Sequence, residues 1–134
     1  MLTRASRLGG LRRPLLVMTV LLWVGAFVAT HVPAETIPQM HVSDKWLHFM
    51  GFLVLAAALH LTLVVHGIGR WRRVAATLLS MAAYAALDER TQPLVNRSCS
   101  PTDAVADLCG AIAAVVALEL VLVLTRGLGR AAHP

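Results

Sequence analysis

Residues 45–65 read KWLHFMGFLVLAAALHLTLVV, a run in which Lys45 is the one Lys, Arg, Asp or Glu. At a helical rise of about 1.5 Å per residue it is roughly 30 Å long, the thickness of a bilayer's hydrocarbon core. That stretch predicts a membrane-spanning helix, and the rest of the chain can be read outward from it. On its C-terminal side lies His66-Gly67-Ile68-Gly69-Arg70-Trp71-Arg72-Arg73, a glycine-containing basic turn with an interfacial tryptophan. On its N-terminal side, the linker His31 to Ser43 carries Pro33 and Pro38, which resist regular helix. Before that linker, an apolar run from about Pro14 to Thr30 follows the basic leader Arg4, Arg7, Arg12, Arg13.

The third apolar run, Val74 to Leu87, covers only about 21 Å as a helix, too little for a bilayer of about 30 Å. The span is therefore expected over about 72–92, taking in Asp88, Glu89 and Gln92 and stopping at Pro93, because the residue before a proline disfavours helix. The fourth span is expected over about 101–124. It opens on Ser100-Pro101-Thr102-Asp103, with a serine N-cap, proline at the first helical position and an acid three residues after the cap.

Composition agrees with this layout. Of 134 residues, 57% are hydrophobic and 14% charged, against about 25% charged in soluble domains. The expected fold is an all-α membrane protein, a single domain over 1–134 with about four transmembrane helices (about 14–30, 45–65, 72–92 and 101–124). The net charge of +5 does not indicate nucleic acid, because the basic residues cluster beside apolar runs. The leader, the central turn and the tail (Arg126, Arg130) hold nine Lys and Arg, and the other linkers three: Lys45, Arg90 and Arg97. The positive-inside rule then places both termini in the cytoplasm. Six of the seven acids (Glu35, Asp44, Asp88, Glu89, Asp103, Asp107) fall on the outer side, and Glu119 does not. Eleven of the twelve basic residues are Arg, and alanine is abundant, which suits a high-GC bacterial source and an inner-membrane location. The leader, the first apolar run and the small residues around Ala34 also match a secretory signal. Its cleavage would leave three spans in the same orientation.

Three segments carry polar residues about one turn inside the apolar boundary. Asp44 and His48 stand at i and i+4, as do Asp88 and Gln92, with Glu89 alongside, and Asp103 and Asp107, with Gly110 a turn below. Ionisable groups at membrane depth are costly, so they face a bundle interior, pair together and mark functional sites.

These residues also carry a resemblance. Asp44-Lys45-Trp46-Leu47-His48-Phe49 resembles the DKxxHF signature of VanZ-like membrane proteins. Glu89-Arg90-Thr91-Gln92 is similar to that family's ExxQ. Arg97, Asp103 and Ala106-Asp107-Leu108-Cys109-Gly110 resemble its closing block, and the match as a whole covers about Asp44 to Gly110, half the chain, in the family's order. Asp107 stands where many members carry Asn, which makes the site more acidic. The resemblance implies a small integral membrane protein of several helices. The family's founding member is associated with low-level resistance to the glycopeptide teicoplanin, and most members have no assigned activity.

Two readings of His48 stand side by side: a ring satisfied by Asp44 one turn earlier, or a binding or proton-transfer group. Asp44 and Asp103 are explained as first-turn acids facing the helix dipole, Asp103 also as a capping-box acid. Glu89 and Asp107 fit neither role, with Lys45 and Arg97 as their expected partners. Arg97 is also the group best suited to read an anionic head group. Glu119 is expected to pair with Arg126 or the central basic turn, and Gly110 and Ala114 to permit close helix packing.

The ligand-binding candidates are thus Asp44, Lys45, His48, Glu89, Gln92, Arg97, Asp103 and Asp107, facing a membrane lipid or lipid-linked envelope intermediate. An intramembrane enzyme with His48 and Glu89 as acid and base is the alternative, although the chain has no nucleophile motif, HExxH or P-loop. A metal held by Asp44, His48, Glu89 and Asp107 ranks third, because Lys45 and Arg97 can supply the positive charge. No cofactor is assigned. A proton-coupled carrier ranks last, since the first and third spans show almost no polar residues at mid-membrane.

Overall fold

The computed structural model describes residues 4–33, 43–96 and 100–131, with side chains over 9–33, 43–96 and 100–125. The described residues are helical and contain no strand. The four helices are α1 (Arg4–Thr30), α2 (Asp44–Val65), α3 (Arg70–Thr91) and α4 (Pro101–Ala131), and a 3-10 turn, Gln92–Val95, follows α3. Three stretches are long and apolar enough to cross a membrane: Gly9–Thr30, Asp44–Val65 and Pro101–Thr125. The fourth helix, α3, is as long as α2 but carries Arg70, Arg72, Arg73, Asp88, Glu89 and Arg90 in its end turns.

The helix ends follow from local chemistry. At α2's start the Trp46 and Leu47 amides donate to the Ser43 carbonyl, and Asp44 occupies the first turn, where a carboxylate opposes the helix dipole. Its end is a Schellman closure: Ile68 N–H donates to Leu63 O, Gly67 N–H to Val64 O, and Gly67 adopts the left-handed φ of 78° that glycine tolerates.

Three expected boundaries move. Both α1 and α4 outrun their apolar spans, starting at Arg4 and ending at Ala131, because charge marks the edge of the lipid and not the end of a helix. The α-helical part of the third span closes at Thr91, and the chain tightens through Pro93 instead of stopping there. Proline near the start of a new turn has no lost N–H to replace.

Side-chain contacts give the relative directions. Thr19 meets Ala58 and Thr62, while Trp23 meets Leu55, so α1 runs antiparallel to α2. Tyr84 donates to Trp23 O and Thr30 to Asp88, so α1 and α3 run the same way. His48 faces Asp107 and His60 faces Glu119, both 59 positions apart, so α2 and α4 are parallel and in constant register. The α2–α4 seam is the most extensive helix–helix contact. Gly110 makes it possible: a Cβ there would lie 2.1 Å from the Phe49 carbonyl oxygen. Phe52, Leu55, Ala56, Met81, Ala85, Ala111 and Ala114 fill the centre, where alanines let backbones approach.

Among the described residues, twelve polar or charged side chains are buried against nine apolar ones, while Leu and Val residues such as Leu21, Leu79 and Val116 are more than half exposed. A water-soluble fold has the opposite distribution, so the solvent for this surface is lipid.

Candidate functional site

The site lies where α2 and α4 begin and α3 ends. His48, one turn into α2, is 7% exposed, and its Nδ1–H donates to Asp107 Oδ1 at 3.0 Å. Asp107, one turn beyond the start of α4, is fully buried. Glu89 arrives from the last turn of α3, 5% exposed. One donor atom from each of His48, Glu89 and Asp107 lies within 4.8 Å of the others, and a second triad of Asp44, His48 and Asp103 shares the histidine.

The constant register explains which partners meet. Counting 59 positions back from Asp103 reaches Asp44, and from Asp107 reaches His48. His48 is therefore paired across the seam with Asp107 rather than up its own helix, although Asp44 stays close enough to complete the second triad. Lys45, level with the first turn of α4, has its Nζ 3.9 Å from Asp103 Oδ1 with its side chain 60% exposed. The expectation that Lys45 would neutralise Glu89 or Asp107 is thus corrected: Lys45 sits a turn too shallow. Arg97, the other expected partner, lies outside the described residues.

The capping-box reading of Asp103 is also corrected. The N-cap amide of Ser100 donates to Glu89 Oε2 at 2.7 Å, and Ser100 Oγ shares a hydrogen bond with Thr102 Oγ1. The box is built for the reach of Glu or Gln, one methylene longer than Asp. A glutamate from the neighbouring helix takes that role, which gives Glu89 a structural task through one of its oxygens. Its other oxygen, Oε1, is buried without a hydrogen-bond partner among the described residues, and so are Asp107 Oδ2 and Asp103 Oδ1.

Gln92 belongs to a different cluster. It donates through Nε2 to Asp88 Oδ2 at 2.9 Å, and Thr30 donates to Asp88 Oδ1. His31 Nδ1 lies 3.7 Å from the same oxygen, and His31 Nε2 meets Thr91 Oγ1 at 2.8 Å. Asp88 therefore fastens α1 to the end of α3, and both of its oxygens are satisfied. His31, read from the sequence as linker, is part of that clamp.

The opposite end of the seam holds residues that sequence reading missed. His60, fully buried, meets Thr77 Oγ1 through Nδ1 at 3.1 Å and Glu119 Oε1 through Nε2 at 2.9 Å. Arg73 Nε donates to Glu119 Oε1 at 2.6 Å, and Arg70 Nε lies 3.3 Å from Oε2. Glu119 thus pairs with the central basic turn, as expected. His60 passed as part of an apolar run, yet its spacing carried a signal: 48 to 60 on α2 equals 107 to 119 on α4. Thr19 and Thr62, which share a hydrogen bond at 2.8 Å, add polar groups inside the spans of α1 and α2.

No protein-family model matches this chain, and no curated protein and no solved structure matches it.

Proposed function

We propose that the chain is a VanZ-like protein of four membrane spans with both termini in the cytoplasm of a bacterial inner membrane. In this reading the His48–Glu89–Asp107 end faces outward and binds the head group of a membrane lipid or lipid-linked envelope intermediate. The observation that carries the binding reading is the pair of buried acceptor oxygens, Glu89 Oε1 and Asp107 Oδ2, that have no hydrogen-bond partner among the described residues and no ion pair with Lys45, which goes to Asp103. Buried polar atoms in folded proteins are nearly always paired, so such a set calls for a ligand. The signature residues Asp44, Lys45, His48, Glu89 and Asp107 gather there, and this supports the family reading. For α3, 22 residues make a helix of about 33 Å, long enough to span. Engagement of Arg73 by Glu119, Glu89 by Ser100 and Asp88 by Thr30 and Gln92 makes its charged ends tolerable at membrane depth.

The acid–base enzyme is the second reading and lacks an observation of its own, since His48 is engaged by Asp107 and Glu89 by Ser100. Native mass spectrometry of detergent-purified protein tests the binding reading. A retained lipid, lost in His48→Ala and reduced in Glu89→Gln, is the expected result, and bare protein in every spectrum counts against it. Topology is tested by single cysteines replacing Lys45 and Arg72 in a cysteine-free chain. Impermeant maleimide should label them from opposite sides of the membrane.

A further inference from the structure

The acid-lined end poses an electrostatic problem for any phosphate-bearing head group. Glu89 and Asp107 bring two carboxylates into a buried space with one imidazole between them. Lys45, expected there from the sequence, is drawn off to Asp103. Each carboxylate has one oxygen occupied, Glu89 by the Ser100 amide and Asp107 by the His48 ring, and one oxygen buried with no hydrogen-bond partner among the described residues. These are two separate observations: a set of mixed nitrogen and oxygen donors drawn from three helices, and orphaned donor atoms within it.

We propose that His48, Glu89 and Asp107 form a site for one divalent cation of the zinc or manganese class, whose remaining coordination positions take a phosphate oxygen of the head group. The first part stands on the triad alone, and the second rests on the head-group reading. The charges close: two carboxylates and a neutral imidazole against a doubly charged ion leave no net charge in a buried site. The donor set also selects the ion class. One imidazole with two carboxylates suits zinc or manganese, whereas calcium and magnesium prefer oxygen alone. An ion with bonds of about 2.0–2.2 Å holds its donors up to about 4 Å apart. Donors already within 4.8 Å of one another reach that span by small side-chain rotations. The ion takes the place of the hydrogen between His48 Nδ1 and Asp107 Oδ1, which is released as a proton to solvent while Nε2 carries the ring's remaining hydrogen. Three protein ligands leave a position open, as in zinc sites that bind an exogenous oxygen. Seating on α2, α3 and α4 together, it would tie the ends of all three helices.

The test uses the full untagged chain, purified in detergent, stripped with chelator and reloaded with zinc or manganese alone. Elemental analysis should find about one ion per chain in the natural protein, and Glu89→Gln and Asp107→Asn should bind at least roughly tenfold more weakly. Both variants keep an oxygen for their present hydrogen bond. Gly51→Ala, where an added Cβ meets nothing within 4 Å, should bind as the natural protein does. The natural protein's melting temperature should rise on reloading, a readout that needs no variant to fold. No uptake by the natural protein, undiminished uptake by Glu89→Gln and Asp107→Asn, or an equal loss in Gly51→Ala overturns the proposal. Lipid retention, read in parallel by mass spectrometry, separates the two parts. Ion uptake without lipid refutes the head-group reading and leaves the cation site standing. Lipid held equally with and without chelator overturns the bridging role.

Discussion

Replacing Gly110 with alanine tests whether the α2–α4 seam sets the geometry of the site. The added Cβ would lie 2.1 Å from the Phe49 carbonyl oxygen and 3.1 Å from the Leu53 nitrogen, both backbone atoms that cannot rotate away. Reaching the 3.4 Å of ordinary contact requires the helices to separate by roughly 1.3 Å at that level. Asp107 lies three residues from Gly110, so the same displacement stretches the 3.0 Å His48–Asp107 bond to about 4 Å, beyond hydrogen bonding. Overpacking of this kind costs about 1–3 kcal/mol, and stranding a buried polar pair costs a further 1–3 kcal/mol or so. Alanine's better helix propensity offsets about 1 kcal/mol, for a net loss of about 1–5 kcal/mol. Thermal unfolding in detergent measures the loss, and lipid retention should fall with it. Gly51→Ala is the control, because a Cβ there meets nothing within 4 Å and should be neutral or slightly stabilising. A Gly110→Ala protein as stable as the natural one, with its lipid in place, would refute the idea that close approach of these helices builds the site.

Other outcomes follow from the same contacts. Glu119→Ala strands Arg73, which is 3% exposed, and should destabilise by about 3–5 kcal/mol in detergent unfolding; a loss below 1 kcal/mol or so would contradict its role as the central counter-ion. Thr19→Val removes the bond to Thr62, yet hydrogen bonds between membrane helices average only about 0.6 kcal/mol, so its effect should stay below about 1 kcal/mol. Cys109 is exposed on the apolar surface of α4, so in a Cys99→Ser background a lipid-soluble thiol reagent should modify it and an impermeant one should not.

Hydropathy, proline and glycine were enough to place the helices, because membrane spans are encoded one segment at a time. The run 45–65 is apolar by itself, and the glycine turn at Gly67 closes it through bonds within five residues. What sequence could not supply is the register between helices, which decides partners. Asp44 and His48 share a face one turn apart, so a reading along the helix pairs them. In the structure His48 pairs with Asp107 at 3.0 Å across the seam that Gly110 allows to close, while Asp44 stays within 4.8 Å. Glu89 was singled out correctly as an acid ill-placed at a helix C-terminus. Its bond to the Ser100 amide depends on the start of α4 lying beside the end of α3, which no local rule predicts.

The two ends of the α2–α4 seam carry the same motif, a histidine on α2 facing a carboxylate on α4 at an offset of 59. They differ in what surrounds the carboxylate. Glu119 has Arg73 at 2.6 Å, Arg70 at 3.3 Å and His60 at 2.9 Å, so its charge is answered within the chain. Among the described residues Asp107 has His48 alone at hydrogen-bond distance, and Glu89 adds a second negative charge beside it. A charge satisfied internally holds helices together and leaves nothing for a ligand to gain. A charge left short at membrane depth can be held there only while the rest of the fold supplies the stability, and binding recovers that cost. Glu119 Oε2 and Arg73 Nη2 lack a hydrogen bond among the described residues, but their charges lie beside opposite ones, so this charge-paired end is what makes the charge-short end tolerable. A chain with Glu119 replaced should lose its fold before it loses its ligand preference, whereas one with Glu89 replaced by Gln should hold the ligand more weakly and keep the fold.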